Sequence, residues 1–201
     1  KFYINRINIS GNSITIEEVL RNELIIDEGD PLNNVLLKKS INNIRSLGIF
    51  KDVKFNIENK NNPFEKDVNI IVTEKPTGEI SLGAGVGTSG ATTAFGVKEN
   101  NFLGRGITLN TNLSLGTETV RGLFSVTNPN FNNTDRDLIF SAESSETDRL
   151  KNYGYKTQKH GFSLGTRFEH LDDLYIVPTI QSYYEQLETS STASSSLKKQ
   201  N

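Results

Sequence analysis

A change in hydrophobic period near residue 77 constrains this chain more than any other feature. Before it, apolar residues recur at both strand and helix spacings. After it, only the two-residue alternation of strands persists. Ile80, Leu82, Ala84 and Val86 alternate with Ser81, Gly83, Gly85 and Gly87. Thr93, Phe95 and Val97 alternate with Ala94, Gly96 and Lys98. The clearest run sets Ile107, Leu109, Thr111, Leu113 and Leu115 against Thr108, Asn110, Asn112, Ser114 and Gly116. Val120, Phe124 and Val126 continue the pattern, then Leu138, Phe140 and Ala142, then Phe162, Leu164 and Phe168. Residues 175–187 form a last, aromatic-rich stretch. The pattern predicts about seven strands of roughly 8–12 residues, each with one apolar and one polar face.

A soluble sandwich alternates in the same way. Three features favour a membrane barrel. The polar faces carry Asn, Ser, Thr, Gly and Arg, which suits a wet lumen. The strands are long enough to cross a bilayer at a tilt. The connections differ in length: 88–91 is tight, whereas 147–154 and 189–200 are long and polar. The connections at 99–106 and 128–137 are of medium length, so the usual contrast between short turns and long loops is met loosely. A barrel also accounts for a hydrophobic content of only 34%, since every second strand residue faces water. An open set of strands leaves an unpaired edge, so further strands are expected beyond Asn201, with 190–201 as an extracellular loop. The chain begins at Lys1 without Met and is expected to be a piece of a longer, processed protein.

The section before residue 77 reads as strand, helix, helix, strand, strand. Ile7 and Ile9 mark a strand at 2–9, broken at Gly11-Asn12. A helix is expected at 15–24, with Thr15 as N-cap, Glu18 closing a capping box, and Ile16, Val19, Leu20 and Leu24 as its apolar stripe. Gly29-Asp30-Pro31 turns the chain. A second helix at 34–47 presents Leu37, Ile41, Ile44 and Leu47 and stops at Gly48. Val53, Phe55 and Ile57, then Val68, Ile70 and Val72, mark two strands joined by a turn at 59–63. Three strands covered by two helices make a small α+β domain. The expected division is 1–76 and 77–201.

Composition and motifs exclude several functions. A net charge of -2 supplies no basic field for nucleic acid. With no Cys, and with His160 and His170 the only histidines, disulfide frameworks, thiolate metal sites and histidine-rich metal sites are excluded. No apolar run approaches the ~20 residues of a membrane helix. Glu17, Glu18, Glu23, Asp27 and Glu28 resemble an acid–base or metal cluster, but a solvated helix face explains them more simply. Gly85, Gly87 and Gly90 fit the G-x-G-x-x-G fingerprint of dinucleotide sites, which requires a helix to open after it. Residues 91–97 alternate instead, so these glycines are better read as a weakly packed strand. Ser125, His160 and nearby acids lack a nucleophile elbow. Asn8-Ile9-Ser10 and Asn132-Asn133-Thr134 match the glycosylation sequon by chance.

Several local sequences resemble the BamA family, the outer-membrane protein assembly factors. They are Ile7-Asn8-Ile9-Ser10-Gly11-Asn12 with Thr15, Val19-Leu20-Arg21-Asn22-Glu23, Glu28-Gly29, and Leu47-Gly48-Ile49-Phe50 with Val53. Glu74-Lys75-Pro76-Thr77-Gly78, Gly83-Ala84-Gly85-Val86-Gly87, Asn101-Phe102-Leu103-Gly104-Arg105-Gly106 and Thr127-Asn128-Pro129-Asn130-Phe131 add to them. The first section is similar to a POTRA domain, specifically the last before the barrel. The resemblance implies an α+β POTRA domain (βααββ) followed by a partial antiparallel transmembrane β-barrel. It implies a non-enzymatic assembly factor without a cofactor, in the bacterial outer membrane with its N-terminal domain in the periplasm. The implied partners are unfolded outer-membrane proteins, accessory lipoproteins such as BamD and outer-membrane lipid, with no nucleic acid. The implied sites are a lateral-seam strand with Ser81, Gly83, Gly85 and Gly87, and a POTRA partner surface with Arg21, Glu23, Val53 and Phe55. The family often has Arg-Arg-Glu where this chain has Arg21-Asn22-Glu23, which bears on the partner contacts. The rival readings are a POTRA-containing polypeptide-secreting transporter or a TamA-like translocation factor, then an ordinary porin, then a soluble β-rich enzyme.

Overall fold

The computed structural model describes residues 1–59, 62, 64–87, 90–171 and 174–198. Residues 60, 61 and 63 of the expected 59–63 turn lie outside the described residues. So do 88 and 89 of the 88–91 turn and 199–201 of the terminal loop. The chain forms two compact units. One comprises Lys1–Thr77 with Asn100–Ile107, the other Gly78–Glu99 with Thr108–Asn201. The first unit is therefore discontinuous, taking in a segment that a single cut after residue 76 assigns to the second.

The first unit runs β1 (Tyr3–Ser10), α1 (Glu17–Arg21), α2 (Asn34–Ser46), β2 (Phe50–Asn59) and β3 (Glu65–Glu74). β3 lies centrally, parallel to β1 and antiparallel to β2. Its alternate residues Val68, Ile70 and Val72 all reach the core, as do Ile4, Ile7 and Val53 from the flanking strands. From α2, Leu37, Ile41 and Ile44 close the core at helical spacing. The Asn33 side chain caps α2 by accepting from Val35 N–H at 2.9 Å, and Gly48 at φ +69° ends it. Buried Ser40 donates to the Leu36 carbonyl at 3.0 Å and accepts from Ile25 N–H at 2.8 Å. It thereby ties the chain after α1 to α2.

α1 is shorter than its apolar pattern suggests. Ile16 is the N-cap residue and offers no side-chain cap, so the capping box of Thr15 and Glu18 does not form. Thr15 is drawn into the interior, where its Oγ1 accepts from Asn101 Nδ2 at 2.9 Å. Leu24 lies beyond the helix but still packs on the core.

The second unit contains β4 (Gly78–Gly87), β5 (Gly90–Phe102) except its last three residues, β6 (Ile107–Gly116) except its first, β7 (Thr119–Asn128), β8 (Arg136–Arg149), β9 (Tyr155–Leu171), β10 (Leu174–Ile176) and β11 (Thr179–Thr189). Short α3 (Leu150–Tyr153) precedes β9 and α4 (Ser195–Lys198) follows β11. β10, β9, β8, β7, β6, β5 and β4 pair in that order, and β11 also pairs with β9. The expected single strand at 175–187 is divided at Val177-Pro178, because proline cannot donate to a ladder. The glycine motif at 85–90 is flanked by strands on both sides, which removes the dinucleotide reading.

Register carries the two-faced pattern across the sheet. Leu109, Val126, Phe140, Leu164 and Ile180 are cross-strand partners in sequence, forming one apolar row over five strands. The adjacent row is Asn110, Ser125, Ser141, Ser163 and Gln181. Directly paired residues share a face and neighbouring rows alternate, so one face is apolar and the other polar. The apolar face is not packed against protein: Leu164 is 50% and Ile180 81% exposed. Every member of the hydrophobic core cluster lies between Ile4 and Val72. Exposed apolar rows without a core are what a lipid-facing sheet requires.

Ile41→Ala is expected to destabilise the first unit by about 2–5 kcal/mol through lost burial and a cavity. Urea unfolding of the full chain in detergent, followed by helical circular dichroism, measures this. Leu164→Ala, on the exposed apolar face, should leave the same transition unchanged.

Candidate functional site

β4 stands at the end of the sheet, paired with β5 on one side. Ser81, Gly83, Gly85 and Gly87 oppose Gly96, Ala94, Thr92 and Gly90, so beyond the Glu79–Lys98 pair this face of the hairpin carries only small side chains. The other face pairs Ile80 with Val97, Leu82 with Phe95, Ala84 with Thr93 and Val86 with Ala91. Every residue of β4 is exposed. A Cβ added to Gly83, Gly85 or Gly87 would meet nothing within 4 Å, and none of the three has a positive φ. Neither crowding nor backbone geometry demands glycine there. What the glycines do is remove side-chain packing and raise the entropy lost on ordering the strand.

The expected POTRA surface divides under the structure. Arg21 is engaged within the unit: it pairs with Glu17 at 2.7 Å and donates to the Ile7 carbonyl at 3.1 Å. Glu23 is half-buried, and its backbone carbonyl accepts from Asn43 Nδ2 at 3.2 Å. Val53 is 1% exposed and belongs to the core, so its side chain cannot serve as a contact surface; only its backbone, on edge strand β2, can. Phe55, half-buried beside the core, lies on the same strand.

Sequence reading missed a polar network in the first unit. The Glu74 carboxylate accepts from the N–H groups of Ser13, Ile14 and Thr15 at 3.1, 3.0 and 2.7 Å. Thr15 Oγ1 accepts from Asn101, whose Oδ1 accepts from Gly106 N–H at 2.8 Å. Ile16 N–H donates to the Gly104 carbonyl at 2.9 Å. Gly104 has φ +71°, and a Cβ there would run into the Ile14 carbonyl, so glycine is required. The residue types at 74 and 101–106 are visible in the sequence, but nothing local announces that they meet. Among the described residues no cluster of three metal-ligating side chains occurs, and no buried side-chain polar atom lacks a partner.

Burial pushes the Glu74 carboxyl up, but hydrogen bonds from the Thr15 side chain and the Thr15, Ile14 and Ser13 N–H groups outweigh it. The group rests below its ordinary value. A depressed folded-state pKa contributes stability above the unfolded value and loses it as pH falls through the folded one. Melting of the full chain should therefore drop as pH falls below the usual carboxylate range. Glu74→Gln should cost about 1–3 kcal/mol at neutral pH and flatten that acid dependence in scanning calorimetry.

The fold and its edges define a class: a small α+β domain joined in sequence to the opening strands of a transmembrane β-barrel. Comparison with known proteins agrees. Residues 2–75 match the POTRA model, described as surface antigen variable number repeat, and residues 101–200 match the Omp85 superfamily domain. The outer membrane protein assembly factor BamA of Neisseria meningitidis serogroup B is 35% identical over 133 residues, covering 65% of this chain. BamA of Neorickettsia risticii is 34% identical over 105 residues, 52% of this chain. The chain spans 17% and 14% of those two relatives. The crystal structure of Haemophilus ducreyi BamA lacking POTRA domains 1–3 superposes with a TM-score of 0.81 at 25% identity. That match covers 94% of this chain and 36% of the other. CdiB from Acinetobacter baumannii shares the fold, with a TM-score of 0.66 at 16% identity, covering 94% of this chain and 39% of its own. The chain thus combines a POTRA domain with part of an Omp85 superfamily domain, and it is similar in sequence to BamA proteins.

Proposed function

We propose that this chain is the working part of a factor that folds and inserts β-barrel proteins into the bacterial outer membrane, with its POTRA domain in the periplasm. The observation that carries the reading is the face of small residues along β4, from Ser81 to Gly87, beside the edge that does not pair with β5. An incoming strand adds to that edge by backbone hydrogen bonding, which is indifferent to sequence and so suits many clients. In lipid no water competes for those groups, and each pair formed is strongly favoured. Burial of client strands drives the process, with no cofactor. In the full-length protein, β4 meets the final barrel strand at a seam that Gly83, Gly85 and Gly87 keep weak. The edge of β2, through Val53 and Phe55, receives extended clients before insertion. Arg21 and Glu23 lie on the side that an accessory lipoprotein such as BamD contacts.

Cysteines at Ser81 and in the final strand of the full-length protein test the seam. Oxidation is expected to stop client assembly in proteoliposomes and reduction to restore it; assembly that continues across the closed seam refutes the reading. The triple change Gly83→Ala, Gly85→Ala and Gly87→Ala adds about 0.5–1 kcal/mol of strand preference per site where space is open. Slower client folding with the protein's own barrel intact is the expected result. Charge reversal at Glu23 should reduce co-purification of accessory lipoproteins, and undiminished co-purification rules out that contact.

A further inference from the structure

The two outer strands of the POTRA sheet are finished differently. β1 pairs with β3 on one side, and its other edge is covered. Ile4 N–H donates to the Asp30 carbonyl at 2.9 Å, Gly29 N–H to the Ile4 carbonyl at 2.7 Å, and Leu32 N–H to the Phe2 carbonyl at 2.8 Å. Further along, Ile7 N–H donates to Glu28 Oε1 at 3.0 Å, and the Ile7 carbonyl accepts from Arg21. From Phe2 to Ile7, backbone groups that would recruit another strand are already used.

β2 also pairs with β3 on one side. Among the described residues, one side chain reaches its backbone from outside the sheet. Arg45, in the last turn of α2, donates from Nη2 to the Val53 carbonyl at 2.7 Å, while its Nη1 donates to Asn42 Oδ1 at 3.2 Å. In an antiparallel strand, alternate residues send both backbone groups to the same side. A guanidinium arriving from a helix end reaches a carbonyl on the side that β3 does not occupy. Val53, Phe55 and Ile57 share that phase, so their backbone groups line the open edge. The acceptor at Val53 is held by Arg45; among the described residues no side chain holds those at Phe55 and Ile57.

Charge distinguishes this end of the strand. Lys54 is paired with Asp52 at 2.9 Å, and the same carboxylate feels the Arg45 charge, so Arg45, Lys54 and exposed Lys51 leave a net positive charge beside Val53. A strand added along Phe55 and Ile57 can extend over Val53 only if it takes that carbonyl from Arg45. The displaced guanidinium then needs a new acceptor, and a carboxylate satisfies it better than a neutral amide.

We propose that Arg45 is a displaceable stop on the open edge of β2, which limits strand addition to Phe55 and beyond unless the incoming extended chain carries a carboxylate beside Val53. The inference rests on the reading that β2 receives extended clients, and it adds a rule for which of them dock along the whole edge.

The test uses the full chain in detergent and a short alternating Thr–Val peptide bearing one terminal-proximal Glu, with a twin bearing Gln. Affinity is read by fluorescence anisotropy, and docking by protection of the Phe55 and Ile57 amides from hydrogen exchange. The Glu peptide is expected to bind about fivefold tighter than its twin, the scale of one partly exposed ion pair. Arg45→Ala should abolish that preference and let the Gln peptide bind at least as well as to the unaltered chain. Arg45→Lys, which keeps charge but not the planar fork, should show a reduced preference, and it decides the matter if Arg45→Ala does not fold. An unchanged preference with Phe55 and Ile57 still protected overturns the stop and leaves the docking edge standing. No protection of those amides in any variant overturns both.

Discussion

An unpaired strand edge is the constraint on which this structure turns. Backbone N–H and C=O groups demand partners, and a sheet that does not close leaves a row of them unmet at each end. The POTRA sheet meets the demand on β1 with the 28–32 segment and with the side chains of Arg21 and Glu28. On β2 it meets the demand at Val53 through Arg45. On β4, in the second unit, ten residues stand at the sheet's end with β5 as their partner. The same demand that makes an edge hazardous in an ordinary protein makes it, on the proposed function, the working surface.

The second unit shows how little apolar sequence a membrane-facing sheet needs. Its sheet is apolar on alternate rows, from Leu109 across to Ile180, and polar on the rows between. A soluble domain with this composition would have to fold its apolar face inward. Here that face stays outward, with Ile80, Leu82 and Val86 each at least three-quarters exposed. The only compact apolar core belongs, among the described residues, to the POTRA unit. The two periods seen along the chain correspond to two solvents: one unit buries its apolar residues from water, and the other turns them toward lipid.

Much of this was legible from residue order, and the illegible parts share a cause. Alternation located β4 to β9, because a half-buried strand writes its face directly into the sequence. It merged β10 with β11, where Pro178 should have weighed more heavily. The helical stripe of Leu37, Ile41 and Ile44 placed α2, with Gly48 as its stop. α1 was overdrawn because Thr15 looked like a cap, and local reasoning cannot see that Asn101 claims its hydroxyl from 86 residues away. Val53 and Phe55 mark β2 as a strand, but the side that each side chain faces depends on where α2 packs. Glu74 and Arg45 were overlooked for the same reason: a charged residue declares its partner only once distant segments are in place.

The two open edges differ in the medium that surrounds them, and on the proposed function this sets the order of events. At β2, water competes for every backbone group, so each hydrogen bond gained contributes only about 0.5–1.5 kcal/mol net. A few such bonds give a contact that forms and releases readily. At β4, the exposed Ile80, Leu82 and Val86 place the strand in lipid, where an amide–carbonyl bond is worth about 4–6 kcal/mol against none. Pairing there is close to irreversible, and a strand packed by large side chains on both faces would hold its own neighbour just as firmly. Small residues at Ser81, Gly83, Gly85 and Gly87 leave backbone hydrogen bonding as the main attraction on the polar face. A client strand can match that attraction, so exchange at the seam does not have to overcome a packed interface as well.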